Sequence, residues 1–228
     1  MEVLKNIPVS LEPERVLKLL RLRKANKYFE KTVQELIEIV RPIAKPKAVY
    51  ETSYIDSKNG DSIVIDGVWF TSRVLRVNLD KVERVFPYIA TCGRELDEID
   101  VPPDDLIRAY CLDTIKTLVL GTAITYLNDY LTGRYALGEM SHMNPGSLES
   151  WPLTQQKELF SIFGNIEELI GVELTEGCVM VPTKSVSGIY FPTEIRFESC
   201  QLCPREKCIG RRAPYDPDLA KQYEYTAT

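Results

Sequence analysis

Three cysteines packed into nine residues are the densest chemistry in this chain. In "SCQLCPREKCIGRR", Cys200, Cys203 and Cys208 stand in a C-x2-C-x4-C arrangement. A two-residue gap lets two thiolates turn toward one metal, and the four-residue loop brings back a third. Soft thiolates select Zn or an iron–sulfur cluster. Three ligands are one short of a closed site; Cys178, Cys92, a carboxylate such as Glu198, or an exchangeable molecule are the candidates for the fourth. Arg205, Lys207, Arg211 and Arg212 surround the cluster, and their charge would lower the thiol pKa values even without metal. Structural zinc, an iron–sulfur cluster and unmetallated thiols are the three readings the spacing allows.

The second candidate is the chain's one histidine, His142, in "SHMNPGSLESWP" (141–152). It stands beside an Asn-Pro-Gly turn and ahead of a Trp-Pro pair that suits a helix start. A ligand pocket, a corrinoid or metal contact, and an ordinary surface loop all fit such a residue. Other chemistry is missing. The chain has no phosphate-cradling P-loop, no G-x-G-x-x-G and no G-x-S-x-G elbow, and one histidine limits acid–base triads. Binding or group transfer fits better than hydrolysis, and no side chain is singled out as a nucleophile.

The elements that must position these residues are mixed. After Ser10 as N-cap, "LEPERVLKLLRL" reads as a short helix, with Pro13 in its first turn. A second helix is expected over about 24–41, where Phe29, Val33, Leu36, Ile37 and Val40 recur at helical spacing. "KAVYETSYI" (47–55) reads as a strand, and Asp66-Gly67 between two apolar runs is a hairpin signal. "NLDKVERVF" is expected as a short helix and "PYIATCG" as a strand ending at Gly93. Pro102-Pro103-Asp104 opens the longest helix, about 105–131, with Gly133 as its stop; apolar residues surround it, so it belongs in the core. "LTQQKELFSIF" reads as a helix stopped at Gly164, and Asn165 with Glu168 forms a capping-box pattern for "IEELI". "CVMV" and "SVSGIYF" read as strands, with Cys178 a core residue of the first; Cys111 is core within the long helix. Helices, strands, helices and strands without regular βαβ alternation indicate α+β. The polar, cysteine-rich stretch 196–228 is read as an extension to a domain covering 1–195.

Composition narrows the partners. Acidic residues exceed basic ones by 33 to 28, giving a net charge of −5, which argues against nucleic acid or an anionic membrane surface. The N-terminus shows no secretory signal pattern, and the most apolar run (118–127) is too short to span a bilayer. The expected location is the cytoplasm, where thiols stay reduced rather than forming a disulfide framework.

Two stretches, "MNPGSLESWPLTQQKELFSIFG" (143–164) and "IGVELTEGCVMVPTKSVSGIYF" (170–191), resemble the activation domain of cobalamin-dependent methionine synthase. The resemblance covers about 105–191 well, the N-terminal half weakly, and the cysteine cluster not at all. It implies an α+β domain with a bent, largely antiparallel sheet and flanking helices. It further implies binding of S-adenosylmethionine, whose methyl group is presented to a corrinoid oxidised to cob(II)alamin; one-electron reduction coupled to methylation restores the methylated cofactor. The corrinoid metal itself attacks the methyl group, so no catalytic side chain is implied. His142, Asn144, Pro145, Gly146 and Ser147 at the turn, with Ser187, Gly188 and Tyr190 on the later strand, are the implied cofactor-binding residues. With no visible corrinoid-, homocysteine- or folate-binding portion, the chain resembles a free-standing component of a methyltransferase system that meets a separate corrinoid protein.

The match has a departure. The family pattern at the turn is Arg-x-x-x-Gly-Tyr; Pro145 and Gly146 match it, while His142 stands at the arginine and Ser147 at the tyrosine. An imidazole cannot form arginine's bidentate pair with a carboxylate, a loss of about 1.5–3 kcal/mol. The family's acidic contact on the long helix has no counterpart around Gly121–Thr125. The altered turn and the added cysteines favour a second reading: a metal- or iron–sulfur-containing docking or electron-transfer partner of a corrinoid protein that does not bind S-adenosylmethionine. A third is a structural subunit whose zinc ties down a polar tail.

Overall fold

A computed structural model describes residues 1–21, 27–208 and 210–224. The two N-terminal helices form as the apolar spacing requires. α1 (Pro13–Leu20) starts with Pro13 in its first turn, and Glu12 rather than Ser10 occupies the N-cap, without a side-chain hydrogen bond. α2 (Lys27–Ile43) buries Val33, Leu36, Ile37 and Val40 on one face. It runs two residues past the expected end, with Pro42 inside its last turn; the expected start, at 24, lies outside the described residues.

A long strand organises the sheet. The 47–55 segment is two strands, β2 (Lys47–Tyr50) and β3 (Ser53–Asn59), broken at Glu51-Thr52. Both follow one edge of β6 (Arg84–Thr91) in succession. Along its other edge β6 takes β10 (Ser185–Pro192), and β7 (Met140–Met143) lies beyond β10. β1 (Glu2–Leu4) borders β2, and the hairpin of β4 (Ser62–Ile65) and β5 (Val68–Thr71) extends β3. Every one of these pairings is antiparallel. The hairpin turns at Asp66 and Gly67, both with positive φ (47° and 77°), the geometry that the Asp-Gly pair predicts. β1 escapes sequence patterning because it is three residues long. The Glu2 carboxylate holds it in place, accepting from the hydroxyls of Tyr130 (2.5 Å) and Tyr50.

The long helix α4 (Leu106–Tyr135) serves two cores in turn, which explains why apolar residues surround it. Its first half packs Cys111, Leu112, Ile115, Leu118 and Val119 against α1 and α2. Its second half sets Ala123, Leu127 and Leu131 on the sheet over Tyr50, Phe86, Tyr88 and Tyr190. Each such leucine contributes about 1.5–3 kcal/mol by leaving water. Gly133 is inside the helix rather than its stop. Tyr135 anchors the extra turn: its hydroxyl lies 2.9 Å from that of Thr52, its ring packs on Phe86, and Ala136 then ends the helix at φ 50°.

Other boundaries shift for local reasons. The helix expected over "NLDKVERVF" lies earlier, as α3 (Arg73–Asn78), because the Ser72 side chain caps Leu75 N–H at 3.2 Å. "LTQQKELFSIF" forms a turn of 3-10 helix (Leu153–Gln155) leading into α5 (Gln156–Ser161). Asn165 caps α6 (Ile166–Ile170) through Glu168 N–H. A two-stranded ribbon, β8 (Glu173–Leu174) and β9 (Met180–Val181), follows. Cys178 is buried in the turn between its strands at φ 61°, not within a strand. α7 (Pro217–Glu224) returns the chain to α3, where the Tyr223 ring stacks on Phe197. Among the described residues no helix is long and apolar enough to cross a membrane.

Candidate functional site

His142 sits on a strand rather than a loop. It is the third residue of β7, opposite Tyr190 of β10, and the two rings lie 5.1 Å apart. Behind them Tyr88 of β6 packs on Tyr190 at 4.5 Å. Burial pushes the Tyr88 phenol up to about 12 and raises that of Tyr190, so both stay neutral at physiological pH.

The His142 and Tyr190 rings form one wall of a cleft of about 350 Å³, within the range of small-molecule sites. The second half of α4 supplies the opposite wall through Ile124, Asn128 and Thr132, spaced four residues apart on one helix face, with Thr125 beside them. Glu139 and Met140 lie at one end. The remaining side comes from the C-terminal stretch, as Arg196, Phe197, Glu198 and Arg212. Phe197 N–H donates to Ser141 Oγ at 2.7 Å, pinning this stretch to β7.

The cleft's electrostatics centre on Arg212. Its Nη1 lies 2.8 Å from His142 Nε2, and its Nε lies 3.1 Å from Glu198 Oε2. Arg196 approaches the other oxygen of Glu198 at 3.1 Å. Because a guanidinium only donates, His142 Nε2 must accept, and the imidazole is the neutral tautomer with its proton on Nδ1. Burial, aided by the Arg212 charge, lowers the His142 pKa to about 4. Two guanidiniums against Glu198, with a neutral imidazole, leave a local excess of one positive charge at this end. The cleft thus offers an aromatic and apolar wall (Tyr190, Phe197, Ile124) beside cationic and hydroxyl-bearing groups. That combination suits a ligand with a planar ring system and an anionic end.

The other residues singled out in the sequence lie around the cleft or behind it. Asn144 Nδ2 donates to Ser187 O at 2.7 Å and Tyr88 Oη at 3.0 Å, stapling the end of β7 to β10 and β6. Gly188 makes that staple fit: an added Cβ would meet the Asn144 side-chain nitrogen and the Met143 carbonyl. Pro145 is buried. Gly146 turns at φ 80° with its N–H on Trp151 O, and an added Cβ would stand 2.9 Å from Leu153 Cδ1. Ser147 faces a different hollow, beside Leu202, Cys203 and Tyr223. Of the eight, His142 and Tyr190 line the cleft; Asn144, Ser187 and Gly188 brace the strands that carry them, and Pro145, Gly146 and Ser147 are outside its lining.

The structure does not bring Cys200, Cys203 and Cys208 together as a ligand set. Among the described residues, no three His, Cys, Asp or Glu side chains converge to hold a metal ion. Cys208 is exposed, while Cys92 and Cys178 are buried elsewhere. Arg211 organises this loop instead, donating to the carbonyls of Cys200 (3.1 Å), Cys203 (3.2 Å), Ala213 (3.2 Å) and Arg205. Cys200 Sγ accepts the Arg212 backbone N–H at 3.4 Å, which lowers its thiol pKa. The residues as placed do not fit a zinc or iron–sulfur site.

Sequence reasoning did not single out Asn128, Thr132 or Glu139 for the site, and took Glu198 as a candidate fourth metal ligand and Arg212 as charge beside the thiols. The signal for the helical wall was present: Ile124, Asn128 and Thr132 form an i, i+4, i+8 row.

Residues 130–200 match the sequence model of the family described as the vitamin B12 dependent methionine synthase, activation domain. A crystal structure of the MetH reactivation domain bound to AdoHcy aligns with a TM-score of 0.58 at 14% identity, covering 87% of this chain and 81% of that one. No curated protein matches the chain. The matched window holds β7, β10 and most of the cleft, and stops short of Arg212. By the signature in residues 130–200 and by its overall fold, the chain is similar to the activation domain of B12-dependent methionine synthase, the resemblance first read from its turn and its Ser185–Phe191 strand.

Proposed function

We propose that this protein binds S-adenosylmethionine in the cleft between α4 and β7–β10 and serves the reductive remethylation of a corrinoid-dependent methyltransferase. The corrinoid would be carried by a separate protein; with one electron from an external reductant it would accept the methyl group as the S–CH3 bond breaks, and S-adenosylhomocysteine would leave. The observation that supports this reading is the cleft itself: an aromatic wall at Tyr190 and Phe197, guanidiniums at Arg196 and Arg212, and hydroxyl and amide groups on α4, built largely from the family-matched residues.

The chain's own work in this reading is binding and orientation. Tyr190 and Phe197, largely buried, contribute apolar surface that a purine would contact. Asn128 and Thr132 offer partners for ribose hydroxyls, and Glu139 an acceptor for an ammonium or sulfonium charge. Neutral phenols at Tyr88 and Tyr190 take no proton, consistent with a transfer whose nucleophile is the corrinoid metal. The reading as a metal-bearing electron carrier draws no support from the cysteines, which are not gathered.

Calorimetric titration of AdoHcy and S-adenosylmethionine tests the proposal. Micromolar binding to the wild type is expected, with loss of at least about tenfold (~1.4 kcal/mol) in Asn128→Leu/Thr132→Leu, which fills the helical wall. No heat up to millimolar ligand, or an unchanged affinity in the filled variant, would refute it.

A further inference from the structure

We propose that Arg212, delivered by the segment after β10, is the carboxylate-binding residue of the cleft and makes it selective for ligands that carry an amino-acid end. This rests on the reading of the cleft as a nucleoside site and specifies which part of the ligand each wall recognises.

The geometry supplies the argument. A guanidinium has five N–H donors. In Arg212, Nε lies 3.1 Å from Glu198 Oε2 as a charge pair without hydrogen-bond geometry, and Nη1 donates to His142 Nε2 at 2.8 Å. The guanidinium also borders the Cys200 thiol, and the side chain keeps 46% of its exposure while lining the cleft. An arginine held by His142 and still half exposed to the cleft is placed to take an anion, and carboxylate recognition suits a guanidinium. His142 is here a positioning residue. Being neutral, it adds no charge of its own and holds the guanidinium by accepting from it.

Charge balance points the same way. Glu198 is only 12% exposed and lies between two arginines, so it neutralises one of them and leaves the other to a ligand. The backbone is fixed as well: Arg212 N–H rests on Cys200 Sγ, and Arg211 gathers three neighbouring carbonyls within 3.2 Å. The cysteine-rich loop therefore acts as the bracket for Arg212. A hydrophobic clamp would need no such bracket and no guanidinium turned toward the cleft.

The test uses the full-length protein and two probes, AdoHcy and 5′-methylthioadenosine, which shares the nucleoside and lacks the amino-acid end. Arg212→Ala is expected to weaken AdoHcy about 10- to 100-fold, the range for a charge-assisted hydrogen bond, and to leave methylthioadenosine within about twofold. Arg212→Lys should recover part of the loss, since it restores charge without the fork. Equal weakening of both probes would mean that the segment merely shapes the cleft, and would overturn the assignment. So would an AdoHcy affinity unchanged in Arg212→Ala. Failure of the wild type to bind either probe would overturn the nucleoside reading along with it.

Discussion

Acidification is expected to act on this protein through one imidazole. His142 has a pKa near 4 in the folded chain against an ordinary value of 6.5, because it is enclosed by Tyr190 and Tyr88 and faces the Arg212 guanidinium. Between those two values the unfolded chain takes up a proton that the folded chain refuses. The unfolded state thus binds more protons, and stability falls as pH falls through this window. For a single site the linkage relation gives a loss of about 2 kcal/mol between pH 7 and pH 5, approaching about 3 kcal/mol near pH 4. Carboxylates also titrate there, so the informative quantity is a difference between two proteins. His142→Gln keeps an oxygen that can accept from Arg212 and has no titrating group. Urea denaturation at pH 7 and pH 5 should show the wild type losing about 2 kcal/mol more than this variant. As His142 is the chain's one histidine, its ring proton gives a single NMR resonance whose midpoint reads the same quantity directly. A midpoint at or above 6.5, or equal pH slopes for the two proteins, would refute the reasoning.

Two further outcomes follow from the frame around the cleft. Asn144→Ala removes both donations of Nδ2 and leaves the Ser187 carbonyl and Tyr88 hydroxyl short of a partner, so chemical denaturation should register a loss of about 2–3 kcal/mol; a change under about 0.5 kcal/mol would show the staple to be idle. Arg211→Met should open the 200–213 loop with little effect on the sheet, so limited proteolysis is expected to cut after residue 195 at a higher rate while urea unfolding of the remainder moves by less than about 1 kcal/mol.

Where local rules acted alone, the sequence was a reliable guide. Asp66-Gly67 must turn with positive φ, Asn165 must find a backbone N–H, and the apolar stripe of α2 must face a core; each does so. The departures are tertiary. Gly133 carries the strongest local stop on α4, yet the Tyr135 ring on Phe86 and its hydroxyl contact with Thr52 hold one further turn. β7 is four residues with a half-buried histidine, and no alternation over so short a run distinguishes it from a loop. It is a strand because β10 pairs with it. The resemblance helped here only indirectly, by marking the Ser185–Phe191 segment whose edge β7 completes.

The cleft was half legible for a related reason. Part of its lining comes from the consecutive residues 139–142 and from Tyr190 of the strand marked by the resemblance, whereas its charge arrives from Arg212, 70 residues after the histidine it contacts. Seen along the chain, Arg211 and Arg212 belong to the cysteines, because charge beside thiols is most simply read as electrostatic support for them. In space the two arginines divide the work. Arg211 turns inward to the loop's carbonyls, while Arg212 turns outward to Glu198 and His142. The position where the family resemblance places an arginine holds a histidine in this chain, and a guanidinium stands beside it nonetheless, brought by a different segment. What looks in the sequence like the loss of a charge at that position leaves, in the folded protein, a guanidinium 2.8 Å from the histidine that replaces it.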